Sequence, residues 1–324
     1  MFRVLTAVAA VALTQISYLG TAQAQDAYPS KPVTVITPAA AGNSPDVATR
    51  FVTDRLTQLW KQQIVILNRP GAGGLIAAQA AAQAAPDGYT LYMTQASTWT
   101  VLPIQQGDKM PIDLFKAFAP ISLIGTQPIA VSVNPQLGVN NVPELIAKIK
   151  ATQGGMLFGA TNRGGQSHLT GELFKRRAAV PLEFVHAQGA AASITDVAAG
   201  RIPIIFEGIA GVGGAAQGGL VKIIGVASDK RLPNYPDLPT IAETLPGFQS
   251  AGWLLLMAPT GTPDTIIQKI NADLKTVLAE PAIIEGFAKI GTYPQYLTPA
   301  DTAAFIKKET EIWWPLVREV GVQR

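Results

Sequence analysis

The sequence predicts an α/β fold in two lobes, and three observations carry that expectation. Short β-branched runs alternate with amphipathic stretches that open on helix-start residues, the signature of strands joined by covering helices in mostly parallel sheets. The chain has 324 residues, more than one small domain holds and comfortable for two. Hydrophobic residues make up 48% and charged residues only 15%, so a large core can form and disorder is excluded.

The elements follow in order. Val33 to Thr37 reads as a strand, and Ser44-Pro45-Asp46 then opens a helix. Ser44 is the expected N-cap, proline suits the first turn, and the acid suits the positive helix end. Val47, Ala48, Phe51, Val52, Leu56 and Leu59 supply its buried face. Ile64 to Leu67 is a strand, Leu75 to Ala85 a helix stopped by Pro86-Asp87-Gly88, and Thr90 to Thr94 a third strand. Ile121–Ile124 and Ile129–Val133 read as two strands, because Pro128 between them cannot donate to a ladder. Pro143 to Lys150 is a helix, Met156 to Gly159 a strand, and His168 to Arg177 a helix. Residues 182–185, 202–206 and 222–227 are strand-like, and Ala190 to Ala199 is a helix ended by Gly200. Asp229 to Pro246 reads as a long surface connection. Thr262-Pro263-Asp264 and Thr298-Pro299-Ala300-Asp301 open two final helices of about four turns.

The amino terminus carries an export signature. Met1-Phe2-Arg3 is a positive start, and Val4 to Gly20 is mostly apolar, interrupted by Thr14, Gln15 and Ser17. Ala22-Gln23-Ala24 fits a small-x-small cleavage site, so residues 1–24 are expected to be a signal peptide cut after Ala24. The competing membrane anchor would need a longer unbroken apolar run. The formal charge of +3 (25 basic minus 22 acidic residues) falls to +2 without Arg3. Basic residues are scattered, with no run of the nucleic-acid-binding type. There is no cysteine, hence no disulfide framework and no lipidation site, and a monomer soluble in the periplasm is expected.

Three segments run from a strand end into a helix start: Pro38–Asp46, Gln95–Thr100 and Ala160–His168. Ligands of open α/β sheets bind outside the carboxyl ends of strands. Unpaired N–H groups and the dipole at helix starts favour anions there. The first segment offers Ala40, Gly42, Asn43, Ser44 and Asp46, and the second Ser97, Thr98 and Trp99. The third offers Thr161, Asn162, Arg163, Gly164, Gly165, Gln166 and Ser167. Ordinary connection and capping would account for Ser44 and Asp46 alone. Arg163 suits a bidentate carboxylate clamp, although a lone loop arginine is more often solvated. Glu207, after Ile204-Ile205-Phe206, suits a ligand hydroxyl or ammonium, or else pairs with Arg163.

Catalysis is not indicated. His168 and His186 are the two histidines, and HExxH, GxSxG and Walker-type patterns are missing. Asn68-Arg69-Pro70-Gly71-Ala72-Gly73-Gly74 lacks the Lys-Ser/Thr ending of a phosphate loop. His168 is expected to be a helix-start hydrogen-bonding residue. No enzyme, cofactor or metal site is expected.

The segments YPSKPVTVITP, NRPGAGG, APDGYTL, FAPISLIG, HLTGELF, DLPTIAE and APTGTP occur in this order. Together they resemble the tripartite tricarboxylate transporter substrate-binding proteins, the Bug or TctC-like receptors, from Tyr28 to Val322. The resemblance implies a type II periplasmic binding protein fold, two lobes joined by crossing strands and closing on a carboxylate. Lobe one would comprise 28–127 plus 249–324 and lobe two 128–248. The receptor would deliver a di- or aromatic carboxylate to the membrane permease subunits of such a transporter. A periplasmic sensing module for a two-component kinase and a periplasmic hydrolase are the alternatives. Relative to the family, Asn43 and Ser44 replace glycines, Ala187-Gln188 replaces Tyr-Lys, Glu207 stands for a common Asp, and Arg163 for a small or apolar residue. The expected arrangement has Asn43, Ser167 and Arg163 on one ligand carboxylate, Glu207 and Gln188 at its other end, and Trp99 with the space at Ala187 accepting a ring.

Overall fold

The computed structural model describes residues 28–161, 163–187 and 189–321. The signal segment expected over residues 1–24 lies outside them. β1 (Val33–Thr37) leads through α1 (Ser44–Trp60), β2 (Ile64–Asn68) and α2 (Leu75–Ala82) to β3 (Thr90–Gln95). The short helices α3 (Ala96–Thr100), α4 (Leu102–Gln106) and α5 (Leu114–Ala117) precede the long strand β4 (Phe118–Val133). Next come α6 (Val142–Ala151), β5 (Met156–Thr161), α7 (Gln166–Ala178), β6 (Leu182–Ala187) and α8 (Ala190–Ala198). They are followed by β7 (Ile204–Gly208), α9 (Ile209–Gln217) and β8 (Lys222–Val226). The chain returns through β9 (Ala251–Pro259), α10 (Asp264–Leu278), α11 (Pro281–Lys289), β10 (Tyr293–Pro294) and α12 (Pro299–Val320).

The strands form one hydrogen-bonded path, β2-β1-β3-β9-β4-β7-β5-β6, with β8 and β10 paired to β4. β1 runs parallel to β2 and β3, and β5 parallel to β6 and β7. β9 is antiparallel to both β3 and β4, and β4 is antiparallel to β7. These directions point the carboxyl ends of β1 and β3 toward the second half of the sheet. The carboxyl ends of β5, β6 and β7 point back toward the first. The strand ends therefore face one another across the boundary that β4 crosses, and the connections leaving them meet there.

Each half has apolar layers on both faces of its strands, which makes the strand sequences near-continuous apolar runs. Along β9, Leu254 and Leu256 join the layer that contains Val35, Val52, Ile270 and Leu274. Their neighbours Trp253, Leu255 and Met257 join the opposite layer with Ala78, Tyr92 and Ile306. In the other half, Ile204 and Phe206 of β7 pack with Phe158, Phe174 and Phe248, while Ile205 packs with Val197 and Val212. Among the described residues, no helix is long and apolar enough to cross a membrane.

Several expectations are corrected. The two strands anticipated around Pro128 are one 16-residue strand. β4 pairs with β9 from Phe118 to Pro128 and with β7 and β8 from Ile129 to Val133. Pro128 sits where the strand changes partners, and there a missing N–H breaks no ladder. Asn43, not Ser44, caps α1: its Oδ1 accepts the Asp46 N–H at 3.0 Å. Thr262 does not cap α10, because its hydroxyl donates to the Pro259 carbonyl. Thr298 does cap α12, accepting from the Asp301 N–H. That helix runs 22 residues through Pro315, six turns instead of four. Trp313, Leu316 and Val317 pack against Val101 and Leu169, which outweighs the proline's preference to end the helix. Strand β9 and helices α9 and α11 were not anticipated.

Gly171 lets α7 lie directly on β5. A Cβ there would stand 2.1 Å from Cε2 of Phe158, itself fully buried. Gly171→Ala is expected to lower stability by about 1–3 kcal/mol through overpacking, read as a lower urea midpoint. An unchanged midpoint would show that the helix and strand are not in this contact.

Candidate functional site

Three of the helices that begin where strands end matter here. β1 passes through residues 38–43 into α1, β5 through residues 162–165 into α7, and β7 runs directly into α9. Their first turns border one cavity of about 620 Å³, lined by Asn43, Ser44 and Pro45, by Thr161 and Gln166, and by Glu207, Gly208, Ala210 and Gly211. The crossing strands close its floor with Gln127, Pro128, Ile129 and Gly252, and the turn at Ile290-Gly291 closes one side. The two halves meet there. A Cβ on Gly291 would lie 2.5 Å from the Ala210 Cβ and 2.9 Å from its nitrogen, so only glycine permits this approach.

The first-turn amides of an α-helix have no intrahelical acceptor and carry the positive end of the dipole. In α1, the Asp46 N–H is taken by the Asn43 side chain and the Val47 N–H by the Asn43 carbonyl. Ser44 thus carries the remaining amide beside the cavity. α7 and α9 begin on Gly165 and Gly208, which bring no side-chain cap. Gln166 anchors α7 to the crossing strands, its Nε2 donating to Ser250 Oγ at 2.9 Å. Gln127 donates to Thr292 Oγ1 at 3.0 Å, tying β4 to the segment beside β10.

Glu207 is held from three sides. Its Oε1 accepts from Ser167 Oγ at 3.1 Å and from the Gly208 N–H at 3.0 Å. Its Oε2 accepts from Thr161 Oγ1 at 3.4 Å. Among the described residues lining the cavity, Glu207 bears the one charged side chain.

Of the residues singled out in the sequence, Asn43, Ser44, Thr161, Gln166 and Glu207 are brought together here. The others are placed elsewhere. Asp46 is buried and occupied by Arg50, Asn68 and the Gly42 N–H. Burial opposes its ionisation, but the hydrogen bonds from Arg50, Gly42 and Asn68 outweigh that and hold its pKa below the ordinary value. The Ala40 carbonyl accepts from Asn43 within the same loop. Trp99 is 1% exposed, edge-on to Phe115, with its indole donating to Thr94 Oγ1, so it offers no face to a ring. Thr98 beside it is fully buried, and Ser97 accepts from Gln95. The second segment therefore belongs to the core. Ala187 is 4% exposed and is not on the cavity lining. Arg163 is exposed and stacks over Phe184, 5.2 Å from the ring centre, instead of pairing with Glu207. Ser167 spends its proton on Glu207 and does not face an anion as a donor. The Gly165 carbonyl accepts the Leu169 N–H. Asn162 and Gln188 lie outside the described residues.

Sequence reasoning missed Gln127, Gly208, Ala210, Gly211, Gly252 and Gly291. The Glu207-Gly208 strand end followed by a helix start was the available signal for three of them. The others come from the crossing strands and the tail, and only long-range pairing brings them in.

His168 supports the third segment from behind. It is fully buried, and its Nδ1 accepts the Gly164 N–H at 2.8 Å, which places the ring proton on Nε2. Burial, followed by the positive charges of Arg163 and Lys175, pushes its pKa down from the ordinary 6.5 to about 4. Glu172 Oε1 lies 3.7 Å from Nε2, and burial raises the Glu172 pKa.

The fold and cavity define a class: a two-lobed α/β binding protein with its ligand space between lobes. Residues 48–322 match the family model for the tripartite tricarboxylate transporter family receptor, TctC, and the chain belongs to that family. It is 32% identical over 299 residues to BugT of Bordetella pertussis, covering 92% of each chain. Two solved structures from Rhodopseudomonas palustris are similar. Rpa4515 with adipate has 28% identity and a TM-score of 0.71, with 91% of this chain and 98% of that chain covered. MatC with bound malate has 28% identity and a TM-score of 0.68, with 90% and 100% covered.

Because folding depresses the His168 pKa, the unfolded chain binds more protons between about pH 4 and 6.5. The neutral ring's contribution is fully present above pH 6.5 and is lost as pH falls toward 4. Glu172 acts with the opposite sign at the acid end of this window. His168→Asn, which keeps an acceptor for Gly164, is expected to flatten the fall in melting temperature between pH 6.5 and 4. An unchanged slope would show that the ring is not neutral and buried.

Proposed function

We propose that this chain is an exported periplasmic receptor, cleaved after Ala24, that captures a small carboxylate without catalysis or a cofactor. Residues 28–127 plus 249–324 form one lobe and 128–248 the other, and they close over the ligand. The loaded receptor then presents it to the permease subunits of a tripartite tricarboxylate transporter. The observation that carries this reading is the convergence of the α1, α7 and α9 starts on one cavity. Amides and dipoles concentrated there favour negative charge. Family membership supports the receptor role, and the adipate and malate held by two relatives support a carboxylate ligand. The ligand-binding residues on this reading are Asn43, Ser44, Thr161, Gln166, Glu207, Ala210 and Gly211, with Gln127 and Gly291 flanking them.

Thermal melting of the purified protein with a panel of carboxylates tests the proposal. At a hundredfold excess over Kd, a bound ligand stabilises the native state by about 2.7 kcal/mol. At least one small carboxylate is expected to raise the melting temperature. If only neutral sugars or cations raise it, the anion reading fails.

A further inference from the structure

The cavity is proposed to bind an anion, yet the charged side chain on its described lining is itself an anion. Glu207 draws one N–H and two hydroxyls toward it. A carboxylate accepts about four hydrogen bonds, so the three donors found among the described residues leave capacity on Oε2, which among them holds the 3.4 Å contact from Thr161. Thr161, on the lining, has its proton turned to Glu207, so toward the cavity it presents lone pairs. Arg163 stacks on Phe184 and does not neutralise the site. A ligand anion set against this wall repels Glu207, and closing the lobes would remove the water that screens it. The repulsion is relieved when the ligand itself donates a hydrogen to Oε2.

Resting on the carboxylate reading above, we infer that the ligand is a donor-bearing carboxylate: an amino or hydroxy acid whose ammonium or hydroxyl faces Glu207. Its carboxylate lies toward the start of α1, where the Ser44 amide has no acidic side chain beside it on the described lining, whereas Glu207 stands against the starts of α7 and α9. Glu207 is thus the residue that separates such ligands from bare carboxylates of the same skeleton. A hydroxyl or an ammonium donating to a carboxylate makes a charge-assisted bond, about twice as strong as a neutral one, and the ammonium adds direct charge attraction, so an ammonium outranks a hydroxyl, and a hydroxyl outranks hydrogen.

Titration calorimetry on matched sets tests this: succinate, malate and aspartate, then glutarate, 2-hydroxyglutarate and glutamate. Within any set that binds, the donor-bearing members are expected to bind about tenfold tighter or more than the bare diacid. Glu207→Gln is expected to shrink that gap to about threefold or less, and Glu207→Asp to restore part of it. Melting curves of both variants establish that they fold. A bare diacid that binds as tightly as its amino and hydroxy counterparts overturns the inference, and so does a gap that Glu207→Gln leaves unchanged. Either result leaves the carboxylate reading standing. If every member of both sets, and every other small carboxylate, fails to bind, the carboxylate reading falls and this inference falls with it.

Discussion

The uninterrupted passage of β4 from one half of the sheet into the other organises the rest of the structure. Its amino-terminal part is zipped to β9 and its carboxyl-terminal part to β7 and β8. That single strand fixes the sense of every other strand. β1 and β3 must run toward the boundary, and β5, β6 and β7 must run toward it from the far side. Helix starts follow strand ends, so dipoles of one sign are collected in one gap. No long-range folding of loops is needed to build the cavity, because the strand directions already do it.

The helix starts are not equivalent. α1 brings its own acid, Asp46, but buries it against Arg50 and Asn68, so this charge is spent on capping and on the loop. Its contribution to the cavity is the Ser44 amide and the Asn43 side chain. α7 and α9 begin on glycines and share Glu207, which projects from the last turn of strand between them. The gap is therefore polarised, with the α1 start on one side and the supported carboxylate, set against the α7 and α9 starts, on the other. The close contact between Gly291 and Ala210 joins the halves beside that carboxylate.

Much of this was legible locally. Val33–Thr37, Ile64–Leu67 and the β5 and β7 runs announce themselves by β-branched residues, and the Thr298 cap by its Pro-Ala-Asp sequel. The rule that ligands sit beyond strand ends pointed to the first and third segments, and Asn43, Ser44, Thr161 and Gln166 from them line the cavity. What failed was decided by tertiary partners. Pro128 argued for a break, but nothing local reveals that a strand changes neighbours there. Helix α9 contains Gly211, Gly213 and Gly214, poor helix formers, and is held by burial of Ile209 and Val212. Trp99 is as consistent with a ring platform as with a core residue until Phe115 and Thr94 are seen around it. Arg163 has the right charge for a clamp and the right neighbour, Phe184, to hold it away.

The central claim is that amides at the starts of α1, α7 and α9 meet one ligand. Backbone amide NMR shifts, followed while a binding carboxylate is titrated, measure this residue by residue. The account predicts the largest changes at Ser44, Gln166, Ala210 and Gly211, with Ser97 to Trp99 little affected. Changes concentrated instead around Asp229–Asn234, on the groove shared with Tyr293 and Gln295, would contradict it.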